Sequence, residues 1–295
     1  MLASKYRAAR LDLLDFTPES PNTSNYMDLN QSAGYALGII VMLKAMVGAF
    51  ACHFAIKCSS FCRVNVGTSM RSACCAFGCV AYSSIYEANK LLERTCTLVV
   101  LCTALGGGWS LEQPGGPLLE FYPTWRFVLT SICDCGGPYA VNIVRWWMKH
   151  YDAKTAKRHI GLANSAIIRR LDKGKLQVER GPKKSQVIQT CAKYQDRSGK
   201  LRYKGTSHLR DTQIYTPRFA RAMCDLVEDL KATCRGQPKI IGDPPMAFET
   251  MQMDWVSDSD MWQFVDFQEI YSYLRGSKRL QIPDMWRPLV PKKLN

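Results

Sequence analysis

The chain has 295 residues, of which 47% are hydrophobic and 22% charged. That is enough to bury a sizeable core, and it excludes a disordered polymer. The formal net charge of +14 departs from the ordinary, so where the excess lies along the chain matters more than its size.

The first apolar run, AARLDLL (8–14), ends in acid and predicts a strand, and TPESPNTSN (17–25) supplies a turn-rich link. SAGYALGIIVMLKAMVG (32–48) then predicts a buried helix, with Ser32 as its N-cap and Gly48 as its C-cap. AFACHFAI (49–56) alternates too little for an exposed strand and fits one covered on both faces. A second helix has Ser84 and Glu87 in capping-box spacing, runs through IYEANKLLERTCTLVVLCTAL to Leu105 and ends at Gly106-Gly107-Gly108. WSL (109–111) opens the next strand, which runs into EQPGGP. A helix over PTWRFVLTSI (123–132) follows, then two strands at 141–151 and 159–164 joined by the basic link DAKTAKR. The order helix, strand, loop, helix, strand, loop is that of a parallel sheet with crossover helices, whose ligands bind outside the carboxyl ends of the strands. Cys58 and Glu112 both fall there.

Charge divides the rest of the chain. Between Lys154 and Lys204 fifteen Lys or Arg face three acids, a balance of +12, interleaved with Tyr194 and Tyr203. Such a stretch suits nucleic acid through phosphate neutralisation, without sequence information of its own. TPRFARAMCDLVEDLKATC (216–234) predicts a helix with Thr216 as cap and Pro217 in the first turn. From Asp243 to Leu274 there are seven acids and no Lys or Arg. The tail's Trp255, Trp262, Phe264, Tyr271 and Trp286 either cover the basic surface or dock a partner.

Thirteen cysteines follow an N-terminus, MLASKYRAARLDLLDF, that lacks the apolar stretch of a secretory signal, so the expectation is reduced thiols in an intracellular protein, nuclear or cytoplasmic. Zinc is the competing use, but Cys58/Cys62, Cys74/Cys75/Cys79 and Cys133/Cys135 lack paired CxxC spacing and the four histidines form no ligand pattern, so no metal is expected. A membrane protein is a further alternative, since 33–56 reaches bilayer-spanning length and 88–105 is also apolar. Against it, Lys44 near the middle of the first segment costs roughly 2.5–3.5 kcal/mol on insertion, and Gly48-Ala49 divides that segment.

A cysteine past one strand and a glutamate past its neighbour suit attack on an electron-poor ring: the thiolate adds to carbon while the carboxyl group binds and protonates a ring nitrogen. KCSSF (57–61) resembles the cysteine motif of the C-5 cytosine-specific DNA methyltransferases, EQP (112–114) resembles their glutamate motif, and HYDAKTAKRHIGLAN (150–164) resembles their basic motif on the strand pair that closes the sheet. The likeness is to a divergent form found in dinoflagellate and other algal proteins. They share CSSF.RVN.GTS.RS, EAN, EQP, KRH...N and Y.D..GK.RY.GT..L, over roughly residues 8 to 230.

The resemblance implies a Rossmann-like S-adenosylmethionine methyltransferase sheet. Cys58 would be the nucleophile and Glu112 the residue gripping the base edge, with Ser59 and Ser60 beside the substrate. Lys157, Arg158 and His159 would stand near base and phosphate, Asp12 at the cofactor ribose and Asp28 at its adenine. The base would have to leave its stack to arrive there. The sequence departs from the family at Lys57, where a proline is usual, at Gln113-Pro114, and at the N-terminus, where no glycine-rich cofactor turn precedes AARLDLLDF. The expectation is therefore an incomplete α/β domain (1–164) lacking its first strand, a basic α+β extension resembling a target-recognition region (165–235) and an acidic tail (236–295). The function it implies is that of a nucleic-acid-associated relative of cytosine-5 methyltransferases, truncated or inactive; the alternative is a non-enzymatic nucleic-acid-binding module on the same fold.

Overall fold

The computed structural model describes residues 27–45, 49–176, 188, 190–206, 208–212 and 214–233. The strand predicted at 8–14, with Asp12, and the acidic tail lie outside them.

In chain order the elements are α1 (Ser32–Lys44), β1 (Ala51–Phe54), α2 (Val66–Ser69), α3 (Ser83–Ala104), β2 (Gly108–Pro114), α4 (Pro123–Gly136), β3 (Asn142–Trp147), β4 (Arg158–Ala163), β5 (Cys191–Gln195), β6 (Leu201–Gly205), α5 (His208–Asp211) and α6 (Pro217–Thr233). The fold is mixed α/β. Its four-stranded sheet has the order β1-β2-β4-β3, and β5 with β6 forms a separate hairpin.

The expected parallel sheet is present in one pair. β1 and β2 run parallel, joined through α3, whereas β4 runs antiparallel to both β2 and β3. The physical reason is the short link between β3 and β4: a ten-residue basic connection returns the chain beside the strand it left, while a parallel pair needs a longer crossover.

Each strand alternates its side chains between two layers. Trp109 and Leu111 of β2 with Ile160 and Leu162 of β4 pack against α3 and α4 in an apolar core that also takes Leu92, Val99 and Trp125. The other face sends Val144, Trp146 and Ala163 against α6, through Phe219, Met223, Leu226 and Leu230. Residues on both sides of position 164 contribute to this second core, which also includes Ile168 and Leu171. Gly161 permits the stacking, since a Cβ there would come within 2.8 Å of the Trp146 ring and 2.9 Å of Ile168.

Local signals were of uneven value. Gly106 takes φ 70° where α3 ends, as the glycine run predicts. Thr216 caps α6 by accepting the Phe219 amide at 3.2 Å, with Pro217 first in the helix. The Ser84–Glu87 capping box is not used: α3 begins at Ser83, and Tyr82 at its N-cap makes no side-chain capping bond. Among the described residues no helix is long and apolar enough to cross a membrane; α1 has 13 residues and α3 carries Glu87, Lys90, Glu93 and Arg94.

Candidate functional site

β1 ends at Phe54, and the chain reaches Cys58 four residues later in a tight turn in which the Phe61 and Cys62 amides both donate to the Cys58 carbonyl, at 3.0 and 3.1 Å. Phe61 is fully buried and anchors that turn. The buried Arg71 guanidinium stacks 4.0 Å from the Phe61 ring centroid, donates to the Ser60 hydroxyl at 3.0 Å and reaches the Ala76 carbonyl. Burial draws the Arg71 pKa down to about 10. Of the two serines assigned to substrate, Ser60 therefore points inward to Arg71, while exposed Ser59 has its carbonyl engaged by the Asn65 amide group.

The Cys58 thiol is half-buried and held down at about 7. The largest cause is the neighbouring Cys62 thiol; burial opposes this, the Lys157 ammonium assists, and the Glu112 charge opposes. Cys62 is driven far up for the complementary reason, the bond to Cys58 first and burial next.

Glu112 lies within β2 and not past its end, because β4 pairs with β2 out to Pro114 opposite His159. Its side chain falls on the α6 face. One carboxylate oxygen accepts the Tyr215 hydroxyl at 2.5 Å and the other meets His159 Nδ1. Burial pushes the Glu112 carboxyl up, but the bond to His159 and its charge, Tyr215 and His53 outweigh it, so the group stays below the usual carboxylate range. The Tyr215 phenol is correspondingly driven far up, by burial and then by Glu112. His53 of β1 completes this layer: its Nδ1 is 3.0 Å from the Ser110 hydroxyl, and burial lowers its pKa against the pull of Glu112.

The structure thus brings Cys58 and Glu112 into one electrostatic neighbourhood, and Tyr215 senses both. The basic trio is divided. Half-buried Lys157 acts on Cys58 and donates to the Thr212 carbonyl at 3.3 Å. Strand alternation then sends its two neighbours to opposite faces: Arg158 is exposed, 5.2 Å from the Trp147 ring centroid, and His159 is buried on Glu112.

Asp28 is used locally. Its Oδ1 accepts the Asn30 amide at 2.8 Å and its carbonyl accepts Gln31 at 2.9 Å, which shapes the entry to α1. Its partner in the cofactor assignment, Asp12, lies outside the described residues. Among the described residues, no group of three or more His, Cys, Asp or Glu could hold a metal ion.

The described part of the basic stretch contains the β5–β6 hairpin, whose turn is organised by Asp196: Oδ1 accepts the Ser198 and Lys200 amides, both at 3.0 Å, and Oδ2 accepts Arg202 at 2.9 Å. Tyr194 and Tyr203 are exposed, with the Lys193 ammonium 5.8 Å from the Tyr203 ring centroid. Arg202 also lies against Gly67 of α2, so the hairpin approaches the segment that follows the Cys58 turn.

Four residues escaped sequence reasoning: His53, Cys62, Arg71 and Tyr215. His53 could have been found from strand parity, and Cys62 from its position four residues after Cys58 in a turn. Tyr215 meets Glu112 across 103 residues, and no local pattern marks such a pairing.

Comparison with protein-family models, with curated proteins and with solved structures finds no match to this chain.

Proposed function

We propose that this chain is a nucleic-acid-associated relative of the cytosine-5 methyltransferases, with a Rossmann-like sheet and a cysteine–carboxylate site whose Glu112 is bonded by Tyr215. The reading is carried by the placement of Cys58 just past β1, Glu112 on the adjoining parallel strand β2 and Lys157 at the end of the β3–β4 connection, with Lys157 and Glu112 both acting on the thiol, which is held at about 7. At neutral pH a large share of Cys58 is thiolate, the form that adds to an electron-poor ring carbon. The exposed Tyr194 and Tyr203, with Lys193 and Lys204 on the same hairpin, support nucleic acid as the partner: phosphates meet the cations and unstacked bases meet the rings.

Covalent trapping tests the enzymatic form. An oligonucleotide carrying 5-fluorocytosine, incubated with the full chain and S-adenosylmethionine, is expected to give a denaturation-resistant adduct that disappears in Cys58→Ser.

A second reading, a non-enzymatic nucleic-acid-binding module on the same fold, is favoured by the surroundings of Glu112, which lower its pKa. A carboxylate held ionised by His159 and Tyr215 has no proton to give a ring nitrogen. Retained oligonucleotide binding, with no adduct and no S-adenosylmethionine binding at millimolar concentration, selects this second reading.

A further inference from the structure

We propose that Cys58 and Cys62 form a reversible dithiol–disulfide pair, a modification site for hydroperoxides built into the turn between β1 and α2. Both thiols are free and half-buried, on residues four apart in one turn. The turn itself brings them together, through the Phe61 and Cys62 amides on the Cys58 carbonyl. Residues one helical turn apart have Cβ atoms about 5–6 Å apart, against about 3.5–4.5 Å in a disulfide, so closing the bond asks the turn to tighten by about 1–2 Å.

The chemistry balances with a hydroperoxide as the only added reagent. The Cys58 thiolate attacks the terminal peroxide oxygen and the O–O bond breaks; one oxygen stays on sulfur as sulfenic acid and the other leaves as alcohol after taking a proton. Cys62 then loses its proton and attacks the sulfenyl sulfur, the S–S bond forms, and hydroxide leaves as water. Two thiols and one hydroperoxide become a disulfide, an alcohol and water, with two electrons passing to the peroxide.

The pair divides the labour by environment. Lys157 favours the thiolate on Cys58, the attacking sulfur. Cys62 is held protonated first by its interaction with that sulfur, then by burial, then by the charge on Cys58. Once Cys58 is a neutral sulfenic acid the two restraints due to its thiolate are relieved while burial remains, so Cys62 ionises more readily at the point where a resolving thiolate is needed. Oxidation would remove the Cys58 nucleophile from any other use, whichever of the two functions above holds.

The sequence provides a clean readout. Trypsin cuts after Lys57 and after Arg63, releasing CSSFCR, a six-residue peptide with both cysteines and no other. Reduced full-length protein is treated with hydrogen peroxide, free thiols are blocked with iodoacetamide, and the peptide is weighed. The expected result is a peptide lighter by two hydrogens and carrying no label, restored to the doubly labelled form by a reductant. In Cys62→Ser the expected product is a dimedone adduct on Cys58. A doubly labelled wild-type peptide while other cysteines oxidise overturns the proposal, and so does oxygen accumulating on Cys58 with no disulfide. Should Cys62→Ser fail to fold, the wild-type peptide decides alone.

Discussion

The two faces of the central sheet are built by different rules. The face under α3 and α4 is mainly apolar, with Trp109, Leu111, Ile160 and Leu162 packed against helix side chains; its buried Gln113 donates to the Ile56 carbonyl, and Glu93 of α3 accepts the Thr124 hydroxyl of α4. The face under α6 shares the same strands, yet β1, β2 and β4 turn His53, Ser110, Glu112 and His159 toward it. The first face is held by area removed from water. The second holds a carboxylate out of water and depends on every partner being in place, because a buried charge stripped of its donors is expensive. Adjacent residues in β2 therefore belong to different problems: Leu111 to packing, Glu112 to charge.

The largest effect is expected on the apolar face. Trp125 is fully buried, with its ring centroid 6.1 Å from that of Trp109, and Trp125→Ala should cost about 3–5 kcal/mol in urea unfolding at any pH where the chain is folded. On the polar face Tyr215→Phe deletes one hydroxyl and little volume, so it should cost about 1.5–3 kcal/mol, the range for a hydrogen bond to a charged group. Equal losses at Trp125 and Tyr215 would erase the distinction between the faces. Gly161→Val probes where they meet, forcing methyl groups into the Trp146 ring at a cost of about 1–3 kcal/mol with a shift in tryptophan fluorescence.

Acid should separate the faces further. The folded-state pKa of Glu112 lies below its unfolded value of about 4.3, so its stabilisation is complete above about pH 5 and is lost as pH falls through the lowered value. Glu112→Gln should therefore lose less stability than the wild type between about pH 5 and pH 3 in urea midpoints, whereas Trp125→Ala should parallel the wild type. The smallest effect is on reactivity. Alkylation of Cys58 should be half-maximal near pH 7, and Lys157→Met should move that midpoint upward, followed by labelling of the peptide CSSFCR.

What could be read in advance follows the same division. Apolar runs and glycine stops located α1, α3, β1, β2 and α6, because those signals depend on neighbours in sequence. The direction of β4 was legible only through its short basic link to β3, and its pairing with β2 was not, since nothing local distinguishes a strand that inserts from one that extends an edge. Cys58 and Glu112 were found from their positions near the ends of β1 and β2, and the structure puts them within electrostatic reach of each other. The partners that decide their protonation were harder to see. Tyr215 arrives from just before α6, and His159, expected beside Arg158 near base and phosphate, is buried while Arg158 is exposed, because side chains alternate along β4. Asp28, expected at the cofactor adenine, accepts the Asn30 amide of its own turn through one oxygen.

The clasp of Tyr215 on Glu112 carries a warning for anyone who would shorten this protein. A version ending before Tyr215 would strip the cover from Trp146 and bare an ionised carboxylate in the same stroke. Its thiol would then report on a wetted, unsupported sheet, and neither silence nor reactivity from such a fragment would say anything about the native thiol.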